Sequence, residues 1–105
     1  MSIDDATIAQ LKAAHPKSEL TEVSVGEATF VLKPPTRPQH NRFREGIVKG
    51  ENVAAGATLL RDCVVWPAWD EFVKLLEAQP GREDEFVGEV RKLAVSTDKV
   101  TTKKL

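Results

Sequence analysis

The stretch FVLKPPTRPQ, residues 30–39, contains the change of period on which the fold turns. Phe30, Val31 and Leu32 have the aromatic and β-branched character of a strand. Pro34 and Pro35 then hold the backbone extended and remove two N–H donors, which ends the strand at Lys33. Thr36 with Gln39 three residues later makes a T-x-x-Q capping box. Pro38 falls in the first turn, where no intrahelical N–H is required. A strand therefore hands over to a helix within four residues.

Upstream, Leu20, Val23 and Val25 precede Gly26-Glu27, and the Phe30–Leu32 run follows. Apolar and β-branched residues on both sides of a glycine-containing turn predict a β-hairpin. Nearer the start, Ile8, Leu11 and Ala14 recur at helical spacing, with Ile3 leading in. Ser2 with Asp5 resembles an N-terminal cap, and Pro16 stops the helix after His15.

Downstream the period stays helical. Phe43 and Ile47 lie at i and i+4, with His40 on the same side, and Gly50 closes that helix. Asn52 is placed to cap the next one, whose inner face reads Val53, Ala57, Leu60 and Val64, flanked by Leu59 and Cys63, up to Pro67. A further helix starts near Ala68 with Asp70 and Glu71 in its first turn and Trp69, Phe72, Val73 and Leu76 as its buried stripe. Pro80-Gly81 breaks it. Glu83, Asp84 and Glu85 open a last helix with Phe86, Val90 and Leu93 inward. The expectation is an α+β domain: an N-terminal helix and β-hairpin followed by a compact bundle of about four short helices. It spans residues 1–95, with a loose tail over 96–105.

The composition narrows the function classes. At 105 residues with 41% apolar content the chain supports one packed core. Fifteen basic residues face sixteen acidic ones, so the net charge of −1 gives the whole molecule no strong pull toward nucleic acid or an anionic membrane. The acidic start MSIDDATIAQL does not read as a signal peptide, and no apolar run approaches the ~20 residues of a membrane span. A cytoplasmic location is expected. One cysteine excludes an internal disulfide, and with two histidines it is too few for an all-Cys/His zinc site.

The sequence contains no GxSxG, HExxH or Walker-type loop, and no cofactor is expected. Cys63, on an apolar helix with only Arg61 near to lower its pKa, reads as a core residue and not as a nucleophile. The run Glu83–Glu85 reads as a helix N-terminus, since it lacks the alternation and central glycine of a calcium loop. Non-enzymatic binding is the expected class.

Two features point outward. Lys33, Arg37, Arg42, Arg44 and Lys49 form a local basic block, which keeps a small nucleic-acid-binding or regulatory protein open as an alternative. On a helix, however, Arg37 and Arg44 share one side while Arg42 and Lys49 share another, so no single stripe forms. Trp66 stands before Pro67 on the connection within the apolar run Cys63–Trp69, a corner where a large ring serves either as an interface anchor or as a lid on the core.

The segments VLKPPTRPQHNRFRE, LLRDCVVWPAWDEFVKLLEAQPG and VGEVRKLA together resemble the small tail assembly chaperones of long-tailed, siphovirus-type bacteriophages and prophages. The resemblance runs from residue 30 to about 95. It rests on the order of Pro34, Pro35, Thr36 and Arg37, then Phe43-Arg44, Cys63-Val64-Val65 with Pro67, Phe72, Pro80-Gly81 and Leu93. It implies a chaperone that binds the tape measure protein, a long helical chain whose apolar stripes need cover, and holds it soluble until the tail tube polymerises. The tail tube protein is a second implied partner, and a hairpin edge leaves homo-oligomerisation open. The resemblance brings no catalytic residues. The partner-binding residues expected here are Arg37, Trp66 and Pro67 at the junction, with Arg42 as an electrostatic contact.

Overall fold

A computed structural model describes residues 3–95 and 100–105. The elements run α1 (Asp5–Ala14), β1 (Thr21–Val25), β2 (Ala28–Leu32), α2 (Arg37–Val48), α3 (Asn52–Cys63), β3 (Val64–Trp66), α4 (Trp69–Ala78) and α5 (Arg82–Leu93). The α+β architecture expected from the sequence is present: a leading helix, a hairpin and four short helices. Its sheet has one strand more than the hairpin.

The hairpin pairs Thr21 with Leu32 through Val25 with Ala28, leaving Gly26-Glu27 as a two-residue turn. Gly26 takes φ +58° and, among the described residues, no non-glycine residue has positive φ, the arrangement of a II′ turn with glycine first. Beyond Pro34-Pro35, the expected capping box at α2 is complete. Gln39 N–H donates to Thr36 Oγ1 at 3.3 Å, and Thr36 N–H donates to Gln39 Oε1 at 2.9 Å. Gly50, at φ +79°, ends α2 in a Schellman motif: its N–H reaches Ile47 O at 3.0 Å and the Glu51 N–H reaches Gly46 O at 2.8 Å.

The core lies between one face of the sheet and α3, α4 and α5. Phe30 of β2 stands edge-on to Phe72 of α4 and Phe86 of α5, with ring centroids 5.7 and 5.2 Å apart, and Phe72 and Phe86 are 5.0 Å apart at 89°. This edge-to-face trio joins the sheet to two helices. Leu32, Leu59, Leu60, Cys63 and Val90 complete the solvent-free centre. Trp69, Leu76 and Leu93 pack against it as the helical spacing indicated. Helix α2 packs on α3 at close range, since a Cβ at Gly46 would sit 2.6 Å from Ala55 Cβ.

Several local expectations are corrected. Helix α3 ends at Cys63 and not at Pro67, because the chain is drawn into the sheet: Lys33 N–H donates to Cys63 O at 2.9 Å and Val64 pairs with Leu32. Val64 is thus a strand residue. The buried face of α3 is Gly56, Leu59, Leu60 and Cys63, and Val53 is 81% exposed. Asn52 is the first residue of α3 and not its cap, because the Schellman turn passes directly into the helix, whose cap position is Glu51. Ile47 is 41% exposed, so Phe43 alone of the expected pair is buried.

At α1 the cap is Asp4, whose carboxylate accepts the Thr7 N–H at 2.7 Å and is thereby held below its ordinary pKa. Ser2 lies outside the described residues, as do positions 96–99 of the expected tail. Residues 100–105 carry no helix or strand and are exposed.

Candidate functional site

The expected site centres on β3, and the register explains where it puts Trp66. Val64 pairs with Leu32, yet Trp66 pairs with Val31, so two steps along β3 match one along β2. Val65 is the extra residue of a β-bulge. Without it, Val64 and Trp66 would share a face, as residues two apart in a strand do. With it, Val64 packs on the core beside Leu32, and Trp66 turns to the opposite face, in one row with Val31 and Glu22.

That second face is thinly covered. Val31 is 5% exposed, but α1 has no buried residue at all. A cavity of about 130 Å³ separates them, lined by Ile8, Leu11, Leu20, Glu22 and Val31 among others. Trp66 is half-buried at the edge of this face. Pro67, which follows, is buried and presents no surface.

The structure does not gather the four expected residues into one patch. Arg37 opens α2, four residues beyond the Lys33–Cys63 hydrogen bond, whereas Trp66 lies at the other end of β3. Arg37 is exposed, and among the described residues its side chain makes no hydrogen bond or ion pair. Arg42 stands about 140° around α2 from Arg37. It faces α3, with its guanidinium 3.9 Å from the Asp62 carboxylate, and borders a cavity of about 180 Å³ between the two helices. The basic block is therefore divided between two sides of α2, as its spacing indicated. One of its members is directed at an acidic neighbour.

Cys63 is fully buried, and burial pushes its thiol up to about 11, with Asp62 adding to the shift and Lys33 opposing it. It is a neutral thiol at physiological pH, short of the thiolate that nucleophilic chemistry needs. Among the described residues no three His, Cys, Asp or Glu side chains stand together as metal ligands, and no helix is long and apolar enough to cross a membrane.

An apolar surface that the sequence reading assigned to the core is open instead. Ile47 of α2 and Val53 of α3 stand in solvent on either side of the Gly50 turn. Helical spacing identified them as apolar positions. It carried no signal that both keep apolar area in solvent.

No protein-family model matches the chain, and no curated protein matches it. Solved structures do. An uncharacterised protein from Bacillus stearothermophilus superposes with a TM-score of 0.71 at 17% identity, covering 91% of this chain and 99% of that one. The tail assembly chaperone of bacteriophage HK97 superposes with a TM-score of 0.54 at 22% identity, covering 90% of this chain and all of the other. The chain has the fold of a bacteriophage tail assembly chaperone.

Proposed function

We propose that this protein is a tail assembly chaperone that binds a tape measure protein and keeps it soluble until the tail tube polymerises around it. The observation that carries the reading is the superposition over nearly the whole length of both chains with the HK97 chaperone. The surface chemistry supports it. The balanced charge, the divided basic block and the protonated Cys63 give little footing for nucleic-acid binding or thiol catalysis. The exposed Ile47 and Val53 and the half-buried Trp66 supply apolar surface of the kind that covers apolar helices.

Arg37, Arg42 and Trp66 are the proposed contact residues, with the buried Pro67 following Trp66. The domain boundary is proposed near residue 95, leaving 96–105 as a tail, and the site of action is the host cytoplasm. The tail tube protein is the proposed second partner.

Co-expression with a candidate tape measure protein, a long helical chain, tests the reading. The partner is expected in the soluble fraction only when this chain is present, and the complex is expected to tolerate moderate salt because apolar contact dominates it. A partner that remains insoluble, with this chain instead binding DNA in a steeply salt-dependent manner, would replace the reading with its nucleic-acid alternative.

A further inference from the structure

Helices α2, α3 and α5 enclose a surface groove of about 300 Å³. Its walls include Phe43 and Ile47 of α2, Val53 and Gly56 of α3, and Val87 and Gly88 of α5. Val53 at 81% and Ile47 at 41% exposure hold apolar area in water that covering would remove. The floor is bare backbone at one point. A Cβ at Gly88 would meet nothing within 4 Å, so α5 passes the groove there without a side chain.

The two ends of the groove carry opposite charge. Glu83 and Asp84 stand at the start of α5, and Arg91 stands near its end. None of the three has an ion pair among the described residues. The Arg91 guanidinium lies over the Phe43 ring, 5.4 Å from its centroid. Asp84 and Arg91 are seven residues apart on one helix, which is two turns, or about 10.5 Å. Any helix lying along α5 repeats that distance between its own positions i and i+7.

We propose that this groove receives one amphipathic α-helix of a partner protein. Its apolar stripe covers Ile47, Val53 and Val87. A lysine or arginine on it faces Glu83 and Asp84, and an aspartate or glutamate two turns along faces Arg91. The bare backbone at Gly88 lets the incoming helix approach closely. The chain's own residues 100–105, VTTKKL, carry no helix and are exposed, so they are not the helical occupant. In identifying the partner helix with a segment of the tape measure protein, the inference rests on the function proposed above. The groove's preference for such a helix does not.

The test uses the full chain and a synthetic amphipathic peptide of ~20 residues, long enough to be helical. The peptide has leucines at i, i+3, i+4 and i+7, a lysine at one end of the stripe and a glutamate two turns away. Backbone amide shifts around Ile47, Val53 and Gly88 are expected to move on titration. Gly88→Leu, which fills open space at an ordinary helical position, is expected to leave the circular dichroism spectrum intact and weaken binding at least about tenfold.

The double variant Glu83→Lys/Asp84→Lys is expected to lose a similar factor, and a peptide with glutamate at both positions is expected to restore it. Shifts elsewhere, no saturable binding, or equal binding by folded Gly88→Leu would each overturn the proposal. Co-purification of the tape measure candidate separates the two claims. If wild type and Gly88→Leu solubilise it equally, the tape measure protein does not bind through this groove and the chaperone reading stands. If wild type fails to solubilise it while the peptide still binds the groove, the chaperone reading fails and the groove assignment stands.

Discussion

Two glycines in two helices are expected to respond oppositely to the same substitution. Gly46 lies inside α2 and Gly88 inside α5, both without positive φ, so alanine is conformationally acceptable at each. Helix propensity alone favours Gly→Ala by about 0.8–1 kcal/mol in a helix interior. At Gly88 nothing opposes this gain, because an added Cβ meets no atom within 4 Å. At Gly46 the new methyl would stand 2.6 Å from Ala55 Cβ and 3.6 Å from Ala55 Cα.

The opposing atom at Gly46 is the stub of a side chain with no rotamer to move, so α2 and α3 must separate by roughly 1 Å. Overpacking of this kind costs about 1–3 kcal/mol. Gly88→Ala is therefore expected to stabilise by about 0.5–1 kcal/mol and Gly46→Ala to destabilise by about 0–2 kcal/mol. The propensity contribution cancels in the difference, which isolates the clash at about 1–3 kcal/mol.

Urea unfolding followed by tryptophan fluorescence measures both, with the shift in midpoint at constant m as the readout. Adding Ala55→Gly to Gly46→Ala removes the opposing methyl. Most of the clash is expected to return as a coupling energy, although a glycine in α3 costs about 1 kcal/mol of its own. If Gly46→Ala stabilises as much as Gly88→Ala, the close α2–α3 approach described here is wrong.

Three further outcomes follow from other parts of the chain. Thr36→Ala removes one half of the capping box at α2 and is expected to cost about 0.5–2 kcal/mol in urea midpoint; a change inside error would mean that the box contributes nothing to stability. Cys63 is neutral in the folded state up to about pH 11, while an unfolded thiol ionises near 9.0. Its contribution to stability is therefore constant below pH 9 and falls as pH rises from 9 toward 11, a slope that Cys63→Ala should lack. In a Trp69→Phe background, partner binding is expected to reduce acrylamide quenching of Trp66; unchanged quenching would remove Trp66 from the contact surface.

Local chemistry made much of this fold legible. Pro34-Pro35 followed by Thr36 and Gln39, the Gly26-Glu27 turn, Gly50, Pro80-Gly81 and the acids opening α5 each determine their own neighbourhood, and each appears where the residues indicated. Strand β3 was not legible because its three residues become a strand only through pairing with β2. Val64 meets Leu32 from 32 residues further along the chain, and no local pattern records that. The same distance effect hid the bulge that turns Trp66 away from the core.

Ile47 and Val53 illustrate a different limit. Helical spacing assigns residues to a face, but what lies opposite depends on how helices cross. Here α2 and α3 meet at Gly46 and Ala55, and Ile47 and Val53 remain in solvent. Of the expected contact residues, only the division of Arg37 from Arg42 followed from sequence, because it depends on the helical repeat alone.

The most direct test of the central claim is the mass of the species formed when this protein is co-expressed with its tape measure candidate, measured by light scattering on the eluting peak of a sizing column. One soluble species holding the partner with several copies of this chain along it is expected. Elution of this chain alone, with the partner confined to the pellet, would contradict it.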